Sequence, residues 1–173
     1  MTPAELLTDA FDRIHQTASR AVEGLSDDQL AARAGRDANP IAWLVWHLTR
    51  VQDDHVADVA GTEQVWTARG FVDRFGLPFD SAATGYGMTG EEVGHVRASA
   101  ELLTAYLDAV HAATTSYVAG LAPEDLDSIV DERWDPPVTL GVRLVSVLDD
   151  DVQHAGQAGY VRGVLEREAL PPA

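Results

Sequence analysis

The sequence predicts an all-α protein, a four-helix bundle with a long ordered crossover between the second and third helices. Four separate segments repeat apolar residues at three- and four-residue steps, the spacing of one helix face. No pair of segments shows the alternating pattern expected of two paired strands. At 173 residues the chain has the length of one domain with its own core, so we expect residues 1–173 to form a single domain.

The first helix is predicted over Pro3–Leu25, because proline stands at an early position and Gly24 lies close to the end. A capping box between Ser26 and Gln29 then opens a short helical turn that continues through Ala34. These signals separate the first long helix from the second.

Capping residues and apolar periodicity delimit the other three long helices. The second helix is predicted to begin at Asn39, as N-cap, with Pro40 at the first helical position, and to run to Val59 before Gly61 stops it. The third and fourth helices are predicted over residues 94–119 and 140–168. The intervening segment 62–92 is rich in glycine and aromatic residues. Disordered linkers are poor in aromatics, so we predict an ordered loop packed against the helices.

Charge and composition exclude several classes of protein. The chain has 28 acidic and 12 basic residues, a net charge of −16, and no lysine. Such a surface repels phosphate backbones and anionic lipids, so we predict no nucleic-acid partner and no membrane association. The N-terminus has no secretory signal pattern, and we expect a cytoplasmic protein. The chain has no cysteine. Its strong metal ligands are therefore histidines and carboxylates, and any reacting thiol must come from another molecule.

Polar residues interrupt the apolar stripe of the predicted fourth helix. At alternating steps of four and three, its inward positions include Asp150, His154 and Gln157. A desolvated acid is costly unless it is paired or bound to a cation. Asp150 and His154 are four residues apart and share a helix face, so both can bind one ion. The whole stripe is predicted to be Arg143, Val147, Asp150, His154, Gln157, Val161 and Val164.

His47 is the predicted third metal ligand. It follows Leu44 by three residues and precedes Val51 by four, which places it on the apolar face of the second helix. His55 lies two turns further along, where it is predicted to line the same cavity nearer the mouth. Arg143 fits either a charge on the helix surface or a residue that holds polar groups of a ligand in that cavity.

The residues alone leave alternatives open. His47 also fits a core histidine bonded to a carbonyl, and Asp150 with His154 also fits a structural hydrogen bond. Asp151, three residues before His154, competes with Asp150 as the carboxylate ligand. The remaining histidines fit surface or loop positions; they are His15, His95 and His111.

Residues 39–50 and 150–157 together resemble the DinB-like four-helix bundle superfamily. Within it, their order and separation are similar to the branch of mycothiol-dependent maleylpyruvate isomerase and mycothiol transferase-like proteins. The resemblance implies one DinB-like metal-binding domain. It also implies a zinc site formed by a histidine of the second helix and a Glu-x-x-x-His pair of the last. His47, Asp150 and His154 stand at those positions, with aspartate in place of glutamate.

Two histidines and one carboxylate leave a coordination position open, as catalytic metal sites do. With the resemblance, this implies an enzyme that uses a divalent metal, zinc or else nickel or iron, and mycothiol as thiol co-substrate. We hypothesise S-transfer from the thiol to a small electrophile, or isomerisation of that electrophile. The alternatives are a metal-dependent hydrolase, a non-haem iron redox enzyme and a non-catalytic metal-binding bundle. The expected partners are small molecules, and a homodimer is left open.

Overall fold

Four long helices form the bundle, and the all-α fold class is confirmed. The computed structural model describes residues 1–168, so residues 169–173 of the predicted domain lie outside the described part. The elements are α1 Pro3–Val22, α2 Asp27–Ala31, α3 Ile41–Ala60, α4 Val65–Ala68, α5 Phe71–Phe75, α6 Gly90–Val93, α7 Ala100–Ala119, a 3₁₀ turn Pro123–Asp127, β1 Ile129–Asp131, β2 Val138–Thr139 and α8 Leu140–Glu168. No helix within residues 1–168 is both long and apolar enough to cross a membrane.

The directions of the helices explain the long crossover. Helix α1 packs against α7 and α8, and α3 packs against the same two helices, most extensively against α8. Helices α3 and α7 run parallel. Gln52 donates to the Thr114 hydroxyl at 2.7 Å, and further along both helices Tyr117 donates to the Val59 carbonyl at 3.4 Å. Neighbouring helices that run parallel need a long connection, which residues 61–99 provide.

The crossover is ordered, as predicted, and Asp53 of α3 anchors its first part. Asp53 is buried and accepts hydrogen bonds from the backbone N–H groups of Val65 and Trp66, both at 2.8 Å. The Tyr106 hydroxyl donates to the same carboxylate at 2.8 Å. Buried carboxylates need such partners. The start of α4 is therefore fixed against α3 and α7.

Arg50 of α3 anchors the second part of the crossover. It is fully buried, and its Nε donates to the Ala83 carbonyl at 3.1 Å. One terminal nitrogen donates to Gln64 at 2.9 Å and to the Tyr106 hydroxyl at 3.2 Å, and lies 3.7 Å from Asp53. A buried charge is tolerated when it is paired and hydrogen-bonded in this way. The network holds both ends of the segment 64–83 on the bundle.

Several local features differ from the prediction. Helix α1 ends at Val22, earlier than predicted, although the Ser26 capping box is present. Pro40 is the N-cap of α3 and not its first helical residue. Helix α7 begins at Ala100, because the Ser99 side chain accepts from the Leu102 N–H and caps it there. The residues expected to start this helix instead follow the short α6.

An antiparallel hairpin of β1 and β2 precedes α8, so the expectation of no paired strands is wrong. The strands have three and two residues. Strands this short contain too few positions for alternation to be recognised in a sequence. The hairpin places Asp131, 7% exposed, beside the first turn of α8.

His15 and His111, expected at the surface, join α1 to α7. His15 Nε2 lies 2.6 Å from Asp108 Oδ1, and His111 Nε2 lies 2.8 Å from Asp12 Oδ1. The two rings stack with centroids 4.3 Å apart. Each helix contributes an Asp-x-x-His pair, and each histidine contacts the aspartate of the other helix. These pairs stabilise the α1–α7 contact.

Candidate metal site

The buried face of α8 is turned by about one residue from the predicted stripe. Gln157, predicted to face inward, is exposed, and Asp151 takes the central buried position. Asp150 and His154 lie at the edge of the buried face. The buried positions are Leu140, Leu144, Val147, Asp151, Ala155, Ala158 and Val161. The prediction was wrong at Gln157 because it placed Asp150 at the centre of the stripe, and moving the centre by one residue to Asp151 turns Gln157 to the surface.

The structure brings the three predicted ligand residues together. One ligand atom from each of His47, Asp150 and His154 lies within 4.8 Å of the others. His47 Nε2 is 4.0 Å from Asp150 Oδ2, and the two imidazole rings meet edge to face with centroids 4.6 Å apart. His47 is almost fully buried, whereas 32% of the Asp150 side chain is exposed. The cluster therefore lies between α3 and α8 with one side open.

Backbone carbonyls orient both histidines. His47 Nδ1 donates to the Thr84 carbonyl at 2.6 Å, and His154 Nδ1 donates to the Asp150 carbonyl at 2.8 Å. A carbonyl can only accept, so each Nδ1 carries the hydrogen and each Nε2 keeps a free lone pair. The Trp43 ring stacks on His47 with centroids 4.5 Å apart and restrains it further. Metal-binding histidines are held in this way by the groups around them.

Gly85 makes the contact between the crossover and His47 sterically possible. Its φ is +101°, and a Cβ built there would lie 2.5 Å from His47 Nδ1 and 3.1 Å from the Trp46 ring. Only glycine allows the backbone to approach this closely with such a φ. In the sequence Gly85 is one of several glycines of the crossover, and no local pattern indicates its role or those of Thr84 and Trp43.

Gly85→Ala is expected to displace the His47 ring and weaken divalent metal binding by about 10- to 100-fold, the usual effect of losing a group that supports a ligand. Isothermal titration with zinc measures this change. Gly87→Ala is the matched control, since Gly87 also has a positive φ of +74° but no described atom lies within 4 Å of its added Cβ. Equal affinities of the two variants would contradict the role of Gly85.

The electrostatics of His47 and Asp150 suit a cation, whereas the raised pKa of His154 means that a metal would have to displace a proton from this histidine. Burial lowers the pKa of His47, partly offset by the hydrogen bond to Thr84, so this imidazole is neutral. Burial acts to raise the pKa of Asp150, but the neighbouring His154, His47 and His55 outweigh it and lower the pKa, so the carboxyl is ionised. Burial acts to lower the pKa of His154, but hydrogen bonds to Asp150 outweigh it and raise that pKa. Neutral imidazole and ionised carboxylate are the forms that bind metals.

The donor set fits a divalent metal. Asp150 Oδ2 is buried and has no hydrogen-bond partner among residues 1–168. It lies 4.0 Å from His47 Nε2 and 3.3 Å from His154 Nδ1, and two histidines with one carboxylate suit zinc, nickel or iron. Asp151, the rival carboxylate, is fully buried at the centre of the buried face of α8, and neither of its oxygens has a partner in the described chain. The geometry therefore favours Asp150 as the ligand.

Two adjoining cavities lie on the open side of the cluster. The first, about 410 Å³, is the metal cavity; it is lined by His47, Val51, Asp54, His55, Thr84, Tyr86, Ser146 and Asp150. The second, about 450 Å³, is the polar cavity, and Asp54 and His55 line it as well, together with Arg143. A third, more apolar cavity of about 310 Å³ lies between α3 and α7, and no metal-ligating cluster is found there among the described residues.

His55 and Arg143, the predicted ligand-binding residues, lie beside each other in the polar cavity. Arg143 donates to His55 Nδ1 at 3.3 Å, so His55 carries its hydrogen on Nε2. Burial, followed by the nearby Arg143 charge, lowers the pKa of His55 and keeps it neutral. Arg143 also lies 3.3 Å from both Asp58 and Asp131. Both side chains are thus held near the metal cavity without belonging to the ligand cluster.

The fold and the cluster together define a class of helical-bundle proteins with an open two-histidine, one-carboxylate site between two helices. The chain matches the family model described as mycothiol-S-transferase over residues 6–167, and it belongs to that family. The predicted resemblance is thereby confirmed.

A solved structure supports the same assignment of fold. It is described as the crystal structure of the conserved protein of locus from Enterococcus faecalis, and it is 30% identical to this chain. The match covers 96% of this chain and 99% of that chain, with a TM-score of 0.89. No curated protein matches the chain.

Proposed function

We propose that the protein is a metal-dependent enzyme that activates a low-molecular-weight thiol, mycothiol, for S-transfer to a small electrophile. The observation that carries the proposal is the convergence of His47, Asp150 and His154 beside an open cavity. Membership of the mycothiol-S-transferase family supports the choice of thiol. The chain has no cysteine, so the reacting sulfur belongs to the substrate.

The arrangement suits thiol activation because the three side chains occupy only one side of the cation they would hold. A bound divalent metal supplies a positive charge that lowers the pKa of a thiol entering from the cavity. One ligand atom from each of His47, His154 and Asp150 lies within 4.8 Å of the others, and the hydrogen bond to the Thr84 carbonyl restrains the His47 ring. Zinc is the first choice of metal, with nickel and iron as alternatives.

The chemical step needs little further machinery. The thiol proton leaves to solvent through the open cavity, and the sulfur lone pair forms the new S–C bond. The electrophile's leaving group departs with its bonding electrons; for addition to a conjugated double bond, the electrons move to carbon, which takes a proton from solvent. Neutral His55 has an Nε2–H to donate, and Arg143 is fixed next to it, so both suit binding of polar groups remote from the sulfur.

Metal analysis and ligand binding test the proposal together. The purified protein is expected to contain about one divalent metal per chain, and mycothiol is expected to raise its melting temperature more than glutathione does. Removing the metal with a chelator is expected to abolish this difference. Metal-dependent ester cleavage without any thiol would instead favour a hydrolase that activates water. Metal-free protein that ignores both thiols and metals would contradict the proposal.

A further inference from the structure

The outward face of α8 carries a row of small and apolar residues, the outer stripe, that no part of residues 1–168 covers. Its positions follow each other at steps of three and four residues, the spacing at which one helix packs along another. The valines of the stripe, and Tyr160 beside it, are each more than half exposed. Contiguous exposed apolar surface typically marks an interaction site. The outer stripe consists of Val142, Val145, Asp149, Val152, Gly156 and Gly159.

The fold of the single chain does not require the two glycines of the outer stripe. Gly156 and Gly159 lie within α8 and are exposed, and a Cβ built at either meets no described atom within 4 Å outside the neighbouring backbone of its own helix. Glycine inside a helix is less favourable than alanine. A second helix packed against this face explains both residues, because small residues at the contact allow two helix axes to come close.

Charge distinguishes the same face as one that a second copy of the chain can approach. The net charge is −16, so most contacts between two copies would bring acidic groups together. Among the exposed positions from 142 to 160, Asp149 is the one charged residue, and Gln153 donates to it at 2.9 Å. Two acidic chains can therefore meet at this face without burying a series of like charges.

The order of large and small residues makes the outer stripe complementary to itself. In a two-fold symmetric contact the same patch is used on both copies, and the residues pair reciprocally. Two antiparallel α8 helices place Val142 opposite Gly159 of the second copy, and Val145 opposite Gly156. Each of these valines then fills the space that a glycine leaves. A parallel pair would instead set valine against valine and glycine against glycine.

We propose that the protein forms a symmetric homodimer through the outer stripe, with the two α8 helices antiparallel. The stripe extends for about 26 Å, since each residue adds about 1.5 Å along a helix. One helix pair of this length gives an interface at the small end of the specific range, so we expect a dissociation constant in the micromolar range. Asp150 and His154 lie on another side of α8, at the edge of its buried face, so the dimer does not depend on the proposed function.

Sedimentation equilibrium tests whether the dimer exists. We expect a monomer–dimer equilibrium that is shifted towards the dimer by added salt, because salt screens the repulsion between two chains of charge −16 and leaves apolar contacts intact. An interface held by ion pairs would weaken with salt, and this result would overturn the inference. A chain that stays monomeric at millimolar concentration would also overturn it.

Val152→Glu tests the position of the interface, and Gln157→Glu is the matched control. Both changes add one negative charge at an exposed position of α8, but Gln157 lies outside the outer stripe. In the antiparallel pair Val152 lies opposite Asp149 of the second copy, so the added carboxylate is expected to raise the dissociation constant at least about 10-fold. The control should change it less than about 2-fold. Far-UV circular dichroism checks that both variants fold. Equal dissociation constants for the two would overturn the inference.

Gly156→Ala separates dimer formation from the stability of the fold. In the single chain the added methyl group favours the helix and meets nothing, so the melting temperature measured at a concentration where the protein is monomeric should rise. In the dimer the same methyl group occupies the space for Val145 of the second copy, so the dissociation constant should rise at least about 10-fold. An effect on folding alone would not weaken the dimer while raising the melting temperature. An unchanged dissociation constant would overturn the antiparallel pairing.

Discussion

Replacing His154 with alanine is expected to abolish high-affinity metal binding while the helical content of the protein is unchanged. His154 would supply one of three donor atoms, and its Nε2 is the free nitrogen because Nδ1 donates to the Asp150 carbonyl. Loss of a direct ligand should exceed the roughly 10- to 100-fold effect of losing a supporting group, so we expect more than 100-fold weaker binding. Isothermal titration gives the affinity, and far-UV circular dichroism checks the helices.

Gln157→Ala is the matched control for this prediction. Gln157 lies one turn further along α8 and is exposed, so its truncation should leave metal affinity within about 2-fold of the unchanged protein. Full metal occupancy in the His154→Ala variant, with zinc measured after gel filtration, would show that His154 is not a metal ligand.

Replacing Asp151 with asparagine is expected to stabilise the protein. Asp151 is fully buried, and neither oxygen has a hydrogen-bond partner within residues 1–168. Burial, assisted by the charge of Asp150, raises the pKa of Asp151 well above its usual range. Asparagine has nearly the same shape but no charge to desolvate. We expect the free energy of unfolding, from urea titration at pH 7, to rise by about 1–3 kcal/mol.

The pH at which stability is measured determines how large the stabilising effect of Asp151→Asn should be. The folded-state pKa of Asp151 is raised, so the folded protein keeps a proton that the unfolded chain releases above its own pKa of about 4. Stability is therefore lost as pH rises above about 4, and the advantage of Asp151→Asn should grow with it. Metal-stripped protein is used so that metal release makes no contribution. A variant less stable than the unchanged protein at pH 7 would contradict the prediction.

Asp150→Asn should behave in the opposite way. Asp150 is 32% exposed and lies 3.3 Å from His154 Nδ1. Its replacement therefore removes a donor atom of the cluster, but relieves little of the free-energy cost of burying a charge. We expect it to weaken zinc affinity at least about 10-fold, whereas Asp151→Asn leaves zinc affinity unchanged. The reverse order would move the carboxylate ligand to Asp151.

The sequence contained enough information to predict the bundle and the members of the cluster. Periodic apolar residues define the long helices, and the four-residue spacing of Asp150 and His154 places both side chains on one face. His47 was identifiable because a polar residue interrupts a strongly apolar stretch. These are local signals, and the fold class that they predict is confirmed. Metal binding by the cluster remains a prediction.

Contacts between segments that are far apart in the sequence could not be predicted from it. The Thr84 carbonyl meets His47 only because Arg50 and Asp53 hold the crossover on α3, and no local pattern encodes that contact. The sequence also predicted the wrong inward face of α8. A step of one residue turns a helix by about 100°, and the consecutive acidic residues 149–151 allowed either Asp150 or Asp151 to be placed at the centre of that face. The short hairpin that fixes Asp131 beside Arg143 gave no periodic signal.

Two consecutive carbonyls of the crossover, Ala83 and Thr84, are bound by side chains one turn apart on the same helix, Arg50 and His47. These two hydrogen bonds fix which residues of the crossover lie against α3. A single inserted residue between Trp66 and Ala83 would offer the wrong carbonyl to each side chain. Surface connections usually tolerate changes of length. Here the length of the segment decides whether a carbonyl is in place to hold the His47 imidazole. Homologues or designs that change this length need another group to hold the ring.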